Sequence, residues 1–131
     1  MKKFIAIALA VLTAFMVFAL AGCGDKTNTT SELAAIKEKG KIVVGITDYK
    51  PMNYQENGVW VGFDTELTYA FAEKLGVEVE FVVLADWGKK FLDLQAGTID
   101  CVWNGMTITD EARNNSSVSD VYLKNSQVVV L

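Results

Sequence analysis

The chain has 131 residues, 51% of them hydrophobic, and a formal net charge of −4 at pH 7. It contains no histidine and two cysteines, which excludes a disulfide framework and a zinc site made of cysteine and histidine ligands. The acidic balance also argues against nucleic acid as a partner, because phosphate binding needs clustered lysine and arginine side chains.

Residues 1–22 have the pattern of a bacterial secretory signal. Lys2 and Lys3 precede a largely apolar run from Phe4 to Leu20, and small residues follow that run. A transmembrane helix is the alternative, although a run of this length is at the short limit for spanning a bilayer.

The sequence Leu20-Ala21-Gly22-Cys23 resembles the bacterial lipobox, in which the cysteine thiol is diacylated and the cysteine becomes the new N-terminus. We therefore expect cleavage before Cys23 and its modification with fatty acid such as palmitate. The lipid would attach the protein to the outer face of the bacterial cytoplasmic membrane, in the periplasm or at the cell surface. Residues 23–30 are small and polar, which is typical of a flexible tether.

After the tether, residues 31–63 predict a helix, a strand and a hairpin. Residues 31–40 have the spacing of a short amphipathic helix that ends at Gly40. Its expected inward-facing residues are Leu33, Ala34 and Ile36. Residues 41–46 are apolar and predict a strand. Asn57-Gly58 lies between apolar flanks and is the strongest local signal for a β-hairpin.

The next helix is expected to have Asp64 as its N-cap and to run to Leu75, with Gly76 at its end. The spacing of its apolar residues predicts one buried face. That face would consist of Leu67, Ala70, Phe71 and Leu75. Residues 77–83 then predict a strand covered on both sides, because their second half is wholly apolar.

Residues 86–95 predict a further helix that ends at Gly97, and residues 99–103 predict the strand after it. The stripe of this helix expected to face the core consists of Trp87, Phe91 and Leu94. In the strand, Cys101 is expected to be a buried and inert thiol.

A short helix and a strand are the last predicted elements. Thr109 is expected to cap the helix, since Asp110 and Glu111 follow in the first turn, where negative charge suits the helix dipole. Residues 127–131, Gln-Val-Val-Val-Leu, predict a strand that nothing after it would cover. We therefore expect the sequence to be a fragment of a longer protein.

Strands that alternate with helices are typical of an α/β fold with a mostly parallel sheet and right-handed crossovers. Ligands of such sheets bind beyond the carboxyl ends of the strands. Three loops leave those ends, at residues 47–51, 85–87 and 103–107, so we expect them to gather on one edge of the sheet.

These loops carry groups that suit a small zwitterion. The rings of Tyr49 and Trp87 can cover an ammonium group or an apolar side chain, and Asp48 can neutralise positive charge. Backbone N–H groups near Gly105 and after Thr109 can receive a carboxylate. Ordinary structural roles are the alternative, because the rings could belong to the core and Asp48 could bond its own turn. We expect no metal ion and no cofactor.

Three segments, KIVVGITDYKPMNY (41–54), GVWVGFDTELTYAFAEKLG (58–76) and LQAGTIDCVWNGMTITDEAR (94–113), resemble blocks of one known family. These are the extracytoplasmic solute-binding proteins of polar amino-acid ABC importers, bacterial solute-binding protein family 3. The resemblance implies that residues 31–131 form the first lobe of a periplasmic-binding-protein-like fold whose second lobe is missing here. It also implies an amino-acid ligand, an ABC permease in the membrane as partner, and no enzymatic activity.

The resemblance also implies roles for single residues. Tyr49 resembles the aromatic residue that covers the ligand, and Trp87 stands where a side chain packs against it. Asn104, Gly105 and Thr107 match the loop that hydrogen-bonds the α-carboxylate and α-amino groups of the ligand.

Two positions depart from the family pattern. Asp48 resembles an acidic residue that helps to hold the ligand, but its loop is shorter than in many relatives. The family has an arginine three residues after the threonine of its TIT motif, where this chain has Ala112, and Arg113 follows one residue later. One residue on a helix is about 100° of rotation. We therefore expect Arg113 to be a solvated charge, with a carboxylate clamp as the alternative.

Two other functions use the same scaffold. One is a secreted dehydratase of cyclohexadienyl substrates, for which Asp48, Glu66 or Asp86 would have to act as acid or base. The other is the sensory input domain of a membrane receptor, which the lipobox disfavours because such receptors are usually held by transmembrane helices.

Overall fold

The structure, a computed structural model, describes residues 31–126 and 128–130. The predicted signal sequence, the lipidation site Cys23 and the tether up to residue 30 lie outside the described residues. Within the described part, no helix is both long enough and apolar enough to cross a membrane.

The described residues contain α-helices and β-strands in alternation. The helices are α1 (Glu32–Lys39), α2 (Phe63–Leu75), α3 (Lys90–Gln95) and α4 (Asp110–Asn115). The strands are β1 (Lys41–Ile46), β2 (Tyr54–Glu56), β3 (Val59–Val61), β4 (Glu78–Val83) and β5 (Cys101–Val102). A turn of 3-10 helix, Trp87–Lys89, leads into α3.

The main sheet has the strand order β4-β1-β5, and both pairs are parallel. Lys41 pairs with Glu78 at one end of the β1–β4 ladder and Ile46 pairs with Val83 at the other. Parallel neighbours need crossover connections, which here contain α2 and α3. The predicted α/β class with a parallel sheet flanked by helices is confirmed.

A hairpin of β2 and β3 is inserted between β1 and α2. Its two turn residues, Asn57 and Gly58, both have positive φ, at 53° and 79°. Positive φ at both central positions is the requirement of a type I′ turn, which asparagine followed by glycine meets at little cost. The predicted hairpin is confirmed.

The core lies on both faces of β1, because successive side chains of a strand point to opposite sides. Ile42, Val44 and Ile46 form one buried cluster together with Ala72 of α2. Val43 belongs to a second cluster on the other face, formed with Leu84 and Ile99. Trp87 and Leu94 pack against this second cluster.

The predicted packing of α1 is wrong in part. Ser31 caps the helix and Gly40 ends it in a left-handed conformation, as expected. Among the described residues of α1, however, none is buried, and Leu33 is 43% exposed. The expected burial of Leu33 and Ala34 is wrong, because only Ile36 reaches the cluster around Val44.

The start of α2 also differs from the prediction. The helix begins at Phe63 with Gly62 as its N-cap, so Asp64 is not the capping residue. The N–H groups of Phe63 and Asp64 donate to the backbone carbonyls of Pro51 and Met52, at 3.1 and 2.9 Å. The loop before the hairpin therefore satisfies the free N–H groups that a side-chain cap would otherwise satisfy.

The buried face of α2 is not the predicted one. It consists of Asp64, Thr65, Thr68 and Ala72. Phe71 is 41% exposed, and Leu67, Ala70 and Leu75 are also not buried. The Thr68 hydroxyl donates to the Asp64 carbonyl at 2.7 Å, which lets a polar residue lie inside. The spacing of the apolar residues predicted the wrong buried face of α2, because three of its four inward-facing residues are polar.

The stripe predicted for α3 is confirmed, with Phe91 buried and Trp87 and Leu94 packed on the second cluster. The strand after it is shorter than expected, since β5 covers only Cys101–Val102. Burial, with a smaller contribution from the Asp100 carboxylate, raises the pKa of the Cys101 thiol to about 12. That value agrees with the inert thiol expected at this position.

At α4 the prediction is confirmed, because the Thr109 hydroxyl accepts the N–H of Ala112 at 3.2 Å. The predicted final strand is wrong for Val128–Val130. These residues have no strand structure and are 78–89% exposed. A strand forms only where its backbone groups pair with a neighbour, and none pairs with them in the described part of the chain. Gln127 and Leu131 lie outside it.

Candidate functional site

The loop after β1 is a tight turn that presents Tyr49 to solvent. The N–H of Tyr49 donates to the carbonyl of Asn53 at 2.6 Å, and the N–H of Met52 donates to the carbonyl of Tyr49 at 2.8 Å. The Lys50–Pro51 peptide bond inside this turn is cis. The backbone is thus closed on itself, while the Tyr49 side chain is 52% exposed.

The loop after β5 touches the same turn at Gly105. Gly105 has φ of 59°, a conformation that side chains with a Cβ rarely adopt. A Cβ at this position would lie 3.1 Å from Met52 Cγ and 3.4 Å from Tyr49 Cε1. The missing side chain therefore lets the bare backbone of Gly105 approach the aromatic ring, as expected of two loops on one sheet edge.

One open groove extends from α1, along β5, to this edge of the sheet. Of the residues predicted for the site, the groove is lined by Tyr49, Asn104, Gly105, Thr107 and Arg113. Among these five, a close approach is seen for Tyr49 and Gly105, whereas the groove itself extends well beyond them. Asp48 and Trp87 are not among the described residues that line it.

Trp87 is half-buried, and it has a different environment from Tyr49. It packs on the cluster of Val43, Leu84 and Ile99. The Lys90 ammonium lies 4.8 Å from the centre of the Trp87 ring and donates to the Trp87 carbonyl at 3.3 Å. This indole already has an apolar neighbour and a cation, so part of its surface serves the core.

Asp48 is exposed at the start of the β1 loop. Asp86 is the acidic residue of the loop after β4. Its carboxylate accepts the N–H of Gly88 at 2.9 Å and lies 3.4 Å from the Lys89 ammonium. Asp86 is therefore the cap of the 3-10 turn, whereas Asp48 remains available to a positively charged group in solution.

Four side chains beneath the two loops form a chain of hydrogen bonds. The oxygen of the Asn104 amide accepts the backbone N–H of Thr47 and the Nδ2 of Asn53, both at 2.9 Å. The Asn104 Nδ2 donates to the Thr47 hydroxyl at 2.6 Å. Asn53 Nδ2 also donates to the Trp103 carbonyl at 2.9 Å, and its oxygen accepts the Thr65 hydroxyl at 2.8 Å.

Asn53 was missed by sequence reasoning. It is fully buried and connects the β1 loop to the β5 loop and to the first turn of α2. A single asparagine between Met52 and Tyr54 carries no periodic or motif signal. Its partners Thr65 and Asn104 are 12 and 51 positions away in the chain, so only the folded structure identifies it.

Asp64 lies behind Gly105 and is also fully buried. Its Oδ1 accepts the Tyr122 hydroxyl at 3.0 Å, whereas Oδ2 has no hydrogen-bond partner among residues 31–126 and 128–130. Burial raises the pKa of the Asp64 carboxyl, and the nearby Tyr122 hydroxyl and Gly105 N–H lower it in part.

Tyr122 connects the irregular segment after α4 to this group. Its ring stacks on Phe63 at 6.4 Å and lies 6.4 Å from the Trp103 ring. Burial, followed by the Asp64 charge, raises the pKa of Tyr122 to about 12. The Trp103 indole N–H approaches the Tyr122 hydroxyl and lowers that pKa slightly, but no well-formed hydrogen bond joins them.

On α4, Ala112 and Arg113 face in different directions. Ala112 is 1% exposed, while Arg113 is exposed and lines the groove. The cation of this helix therefore stands at an exposed position, and the buried position next to it holds a small apolar side chain. Whether Arg113 clamps a ligand stays a prediction.

The described side chains give no group of three or more Asp, Glu, Cys or His arranged to hold a metal ion. The polar groups that line the groove include the Tyr49 phenol, the Thr107 hydroxyl, the Arg113 guanidinium and the Lys124 ammonium. Such a set can bind a small polar molecule through hydrogen bonds and charge.

Comparison with known proteins gives one family. Residues 42–131 match the model of the bacterial extracellular solute-binding proteins, family 3. A similar relative is the arginine-binding extracellular protein ArtP of Bacillus subtilis (strain 168). It is 37% identical over 131 residues, which cover 99% of this chain and 48% of ArtP. The chain thus spans about half the length of that relative.

Two solved structures are also similar. An ancestral cyclohexadienyl dehydratase matches with a TM-score of 0.68 and 39% identity, covering 72% of this chain and 40% of the other. Domain 1 of the T. maritima protein TmArgBP, in its arginine-bound form, matches with a TM-score of 0.57 and 36% identity. That match covers 61% of this chain and 64% of the other.

Proposed function

Because the chain belongs to the bacterial extracellular solute-binding proteins of family 3, we propose that it binds a free amino acid at the edge formed by the β1 and β5 loops. In this proposal residues 31–131 are the first of two lobes that close on the ligand. Residues 1–22 are a lipoprotein signal, and Cys23 carries the lipid anchor. The closed form delivers the amino acid to an ABC permease outside the cytoplasm.

The contact between Tyr49 and Gly105 carries this proposal. It places an aromatic face beside a bare backbone, with the Thr107 hydroxyl and the Arg113 guanidinium on the same groove. An aromatic face attracts an ammonium group, and the Thr107 hydroxyl and backbone N–H groups near Gly105 can bind a carboxylate. The two ends of an amino acid need those two kinds of partner at close range.

A similar protein sequence and a similar solved structure both support an amino acid as the ligand class. ArtP is named for arginine, and the similar TmArgBP domain is an arginine-bound form of a single domain. L-arginine is therefore the first ligand to test here, and the exposed Asp48 carboxylate near Tyr49 suits its positive charge.

An enzyme on the same scaffold is the second candidate, because an ancestral cyclohexadienyl dehydratase is among the similar structures. The described carboxyl group with a raised pKa is Asp64, and this group is fully buried where no substrate can touch it. Of the exposed candidates, Asp86 is used as a turn cap. These positions favour binding over acid or base catalysis.

Isothermal titration of the full-length protein against the twenty standard amino acids tests the proposal. We expect binding of at least one of them, and at least a tenfold loss of affinity in Tyr49→Ala. Tyr69→Ala is the matched control, because Tyr69 is also exposed but packs edge-on against Phe81. Equal losses in both variants, or no binding at all, would contradict the proposed site. Turnover of prephenate or arogenate would favour the enzyme.

The membrane anchor has its own test. Cells expressing the wild type are expected to incorporate radioactive palmitate into the protein, and Cys23→Ala is expected to remain unlabelled and uncleaved. Cys101→Ala is the control that keeps the predicted lipidation site and removes the other cysteine. Equal labelling of wild type and Cys23→Ala would reject the anchor.

A further inference from the structure

We infer that Asn53 and Asn104 are positioning residues of the proposed amino-acid site, joined as a buried amide bridge that holds its two loops in one arrangement. This inference rests on the proposed function, since the loops are positioned for a ligand. Asn53 closes the loop that carries Tyr49, and Asn104 directly precedes Gly105. The two amides are 2.9 Å apart, and both side chains are buried.

Backbone groups fix the orientation of both amides. The N–H of Thr47 can only donate, so the Asn104 atom that faces it must be the amide oxygen. The carbonyl of Trp103 can only accept, so the Asn53 atom that faces it must be Nδ2. The contact between the amides then pairs Nδ2 of Asn53 with the oxygen of Asn104. Turning either amide over would break a bond to the backbone, so one arrangement is selected.

The amide oxygen of Asn104 acts on the ligand only through the loops. Its amide oxygen already accepts two hydrogen bonds, which occupies both lone pairs. It therefore has no acceptor left for the ammonium group of an amino acid. Its contribution is to set the distance between Thr47, where the first loop starts, and Gly105 on the second loop.

The bridge is supported by α2. Thr65 is fully buried in the first turn of this helix, and its hydroxyl donates to the Asn53 oxygen at 2.8 Å. The same turn places the Asp64 carboxylate behind Gly105. Both loops thus rest on the start of one helix, which explains why α2 buries polar side chains.

Asn104→Leu keeps the branching and the number of non-hydrogen atoms of the side chain and removes the acceptor of the Thr47 N–H. We expect L-arginine affinity to fall at least tenfold and the Thr47 amide of the ligand-free protein to exchange its hydrogen at least tenfold faster. Asn104→Asp keeps that acceptor, so the Thr47 amide should stay protected. Gln55→Ala removes an exposed amide from the hairpin and should change neither measurement.

A double-mutant cycle separates a bridge from two independent contacts. Asn53→Ala and Asn104→Ala should each weaken L-arginine binding at least fivefold. The affinity of the double variant should lie within about twofold of the affinity of the more weakly binding single variant. Multiplicative losses would show that each amide acts alone and would overturn the bridge.

Two results keep this inference distinct from the proposed function. If the wild type binds no amino acid, the proposed function fails, and the Thr47 exchange rates still decide whether the bridge exists. If Asn104→Leu does not fold, Thr65→Val and Thr65→Ser replace it, because only the serine keeps the hydroxyl that bonds Asn53. Faster Thr47 exchange in Thr65→Val alone supports the bridge, and equal rates in both variants overturn it.

Discussion

Helices α2 and α3 pack against the same sheet from opposite faces, and they bury different kinds of side chain. α3 buries Phe91 and packs Leu94 on the cluster around Val43. α2 turns Thr65 and Asp64 inward and leaves Phe71 partly exposed. A helix that only covers a core needs an apolar stripe. A helix that also supports polar loops needs hydrogen-bonding side chains on its inner face, because buried backbone and amide groups must be satisfied.

The largest expected effect tests this comparison with two phenylalanines. Phe91→Ala should lower the free energy of unfolding by about 3–5 kcal/mol, because it opens a cavity in a packed core. Phe71→Ala should cost about 1 kcal/mol, the scale of the edge-on contact that its ring makes with Trp103. Urea unfolding of both variants measures the difference. Equal losses would mean that the inner face of α2 is misassigned.

A second prediction concerns Trp87, at the start of the α3 region. The family resemblance implies that Trp87 packs against the ligand; on that basis Trp87→Ala in the full-length protein should weaken L-arginine binding by about 1–3 kcal/mol, the range for a desolvated aromatic contact. The melting temperature is measured in parallel, because the ring also packs on the core. A lower melting temperature with unchanged affinity of the folded fraction would identify Trp87 as a core residue only.

Asp64 gives a smaller effect that depends on pH. Its pKa is raised in the folded state, so its contribution to stability is fully present below the ordinary value of 3.8 and is lost as the pH rises through the folded pKa. Asp64→Asn removes this titration and keeps an oxygen for the Tyr122 hydroxyl. Relative to wild type, the variant should therefore gain stability as the pH rises above 3.8. A difference that is constant from pH 3 to 8 would argue against the raised pKa.

The smallest effect is expected for Arg113, outside both helices. Arg113→Ala in the full-length protein should reduce L-arginine affinity less than tenfold, or about 1.4 kcal/mol, because an exposed charge is worth a few tenths of a kcal/mol. Lys124→Ala, which also removes an exposed cation of the groove, is the control. A hundredfold loss at unchanged melting temperature would show that Arg113 is the carboxylate clamp.

Local signals in the sequence were enough for much of the fold. The strand at residues 41–46, the turn at Asn57-Gly58 and the cap at Thr109 were all predicted where the structure has them. Each depends on residues within a few positions of one another. The gathering of Tyr49 and Gly105 on one edge also followed, because parallel strands bring their carboxyl ends together.

The rest depends on partners that are distant in the chain. Asp64 was expected to cap its own helix, but its hydrogen bond comes from Tyr122, 58 positions later. Asn53 has no local signal for its bond to Asn104. The valines at 128–130 have strand propensity, but their backbone groups lack a pairing partner in the described part of the chain. Propensity and spacing do not contain this information.

The half-buried thiol of Cys101 has a practical consequence for labelling chemistry. Maleimides react with the thiolate, and a thiol with a pKa of about 12 has on the order of one molecule in 10⁵ ionised at neutral pH. Thr107 is exposed, so the new cysteine in Thr107→Cys would react far faster than Cys101. A fluorophore attached there would lie on the groove, and Cys101 would not have to be removed from the sheet first.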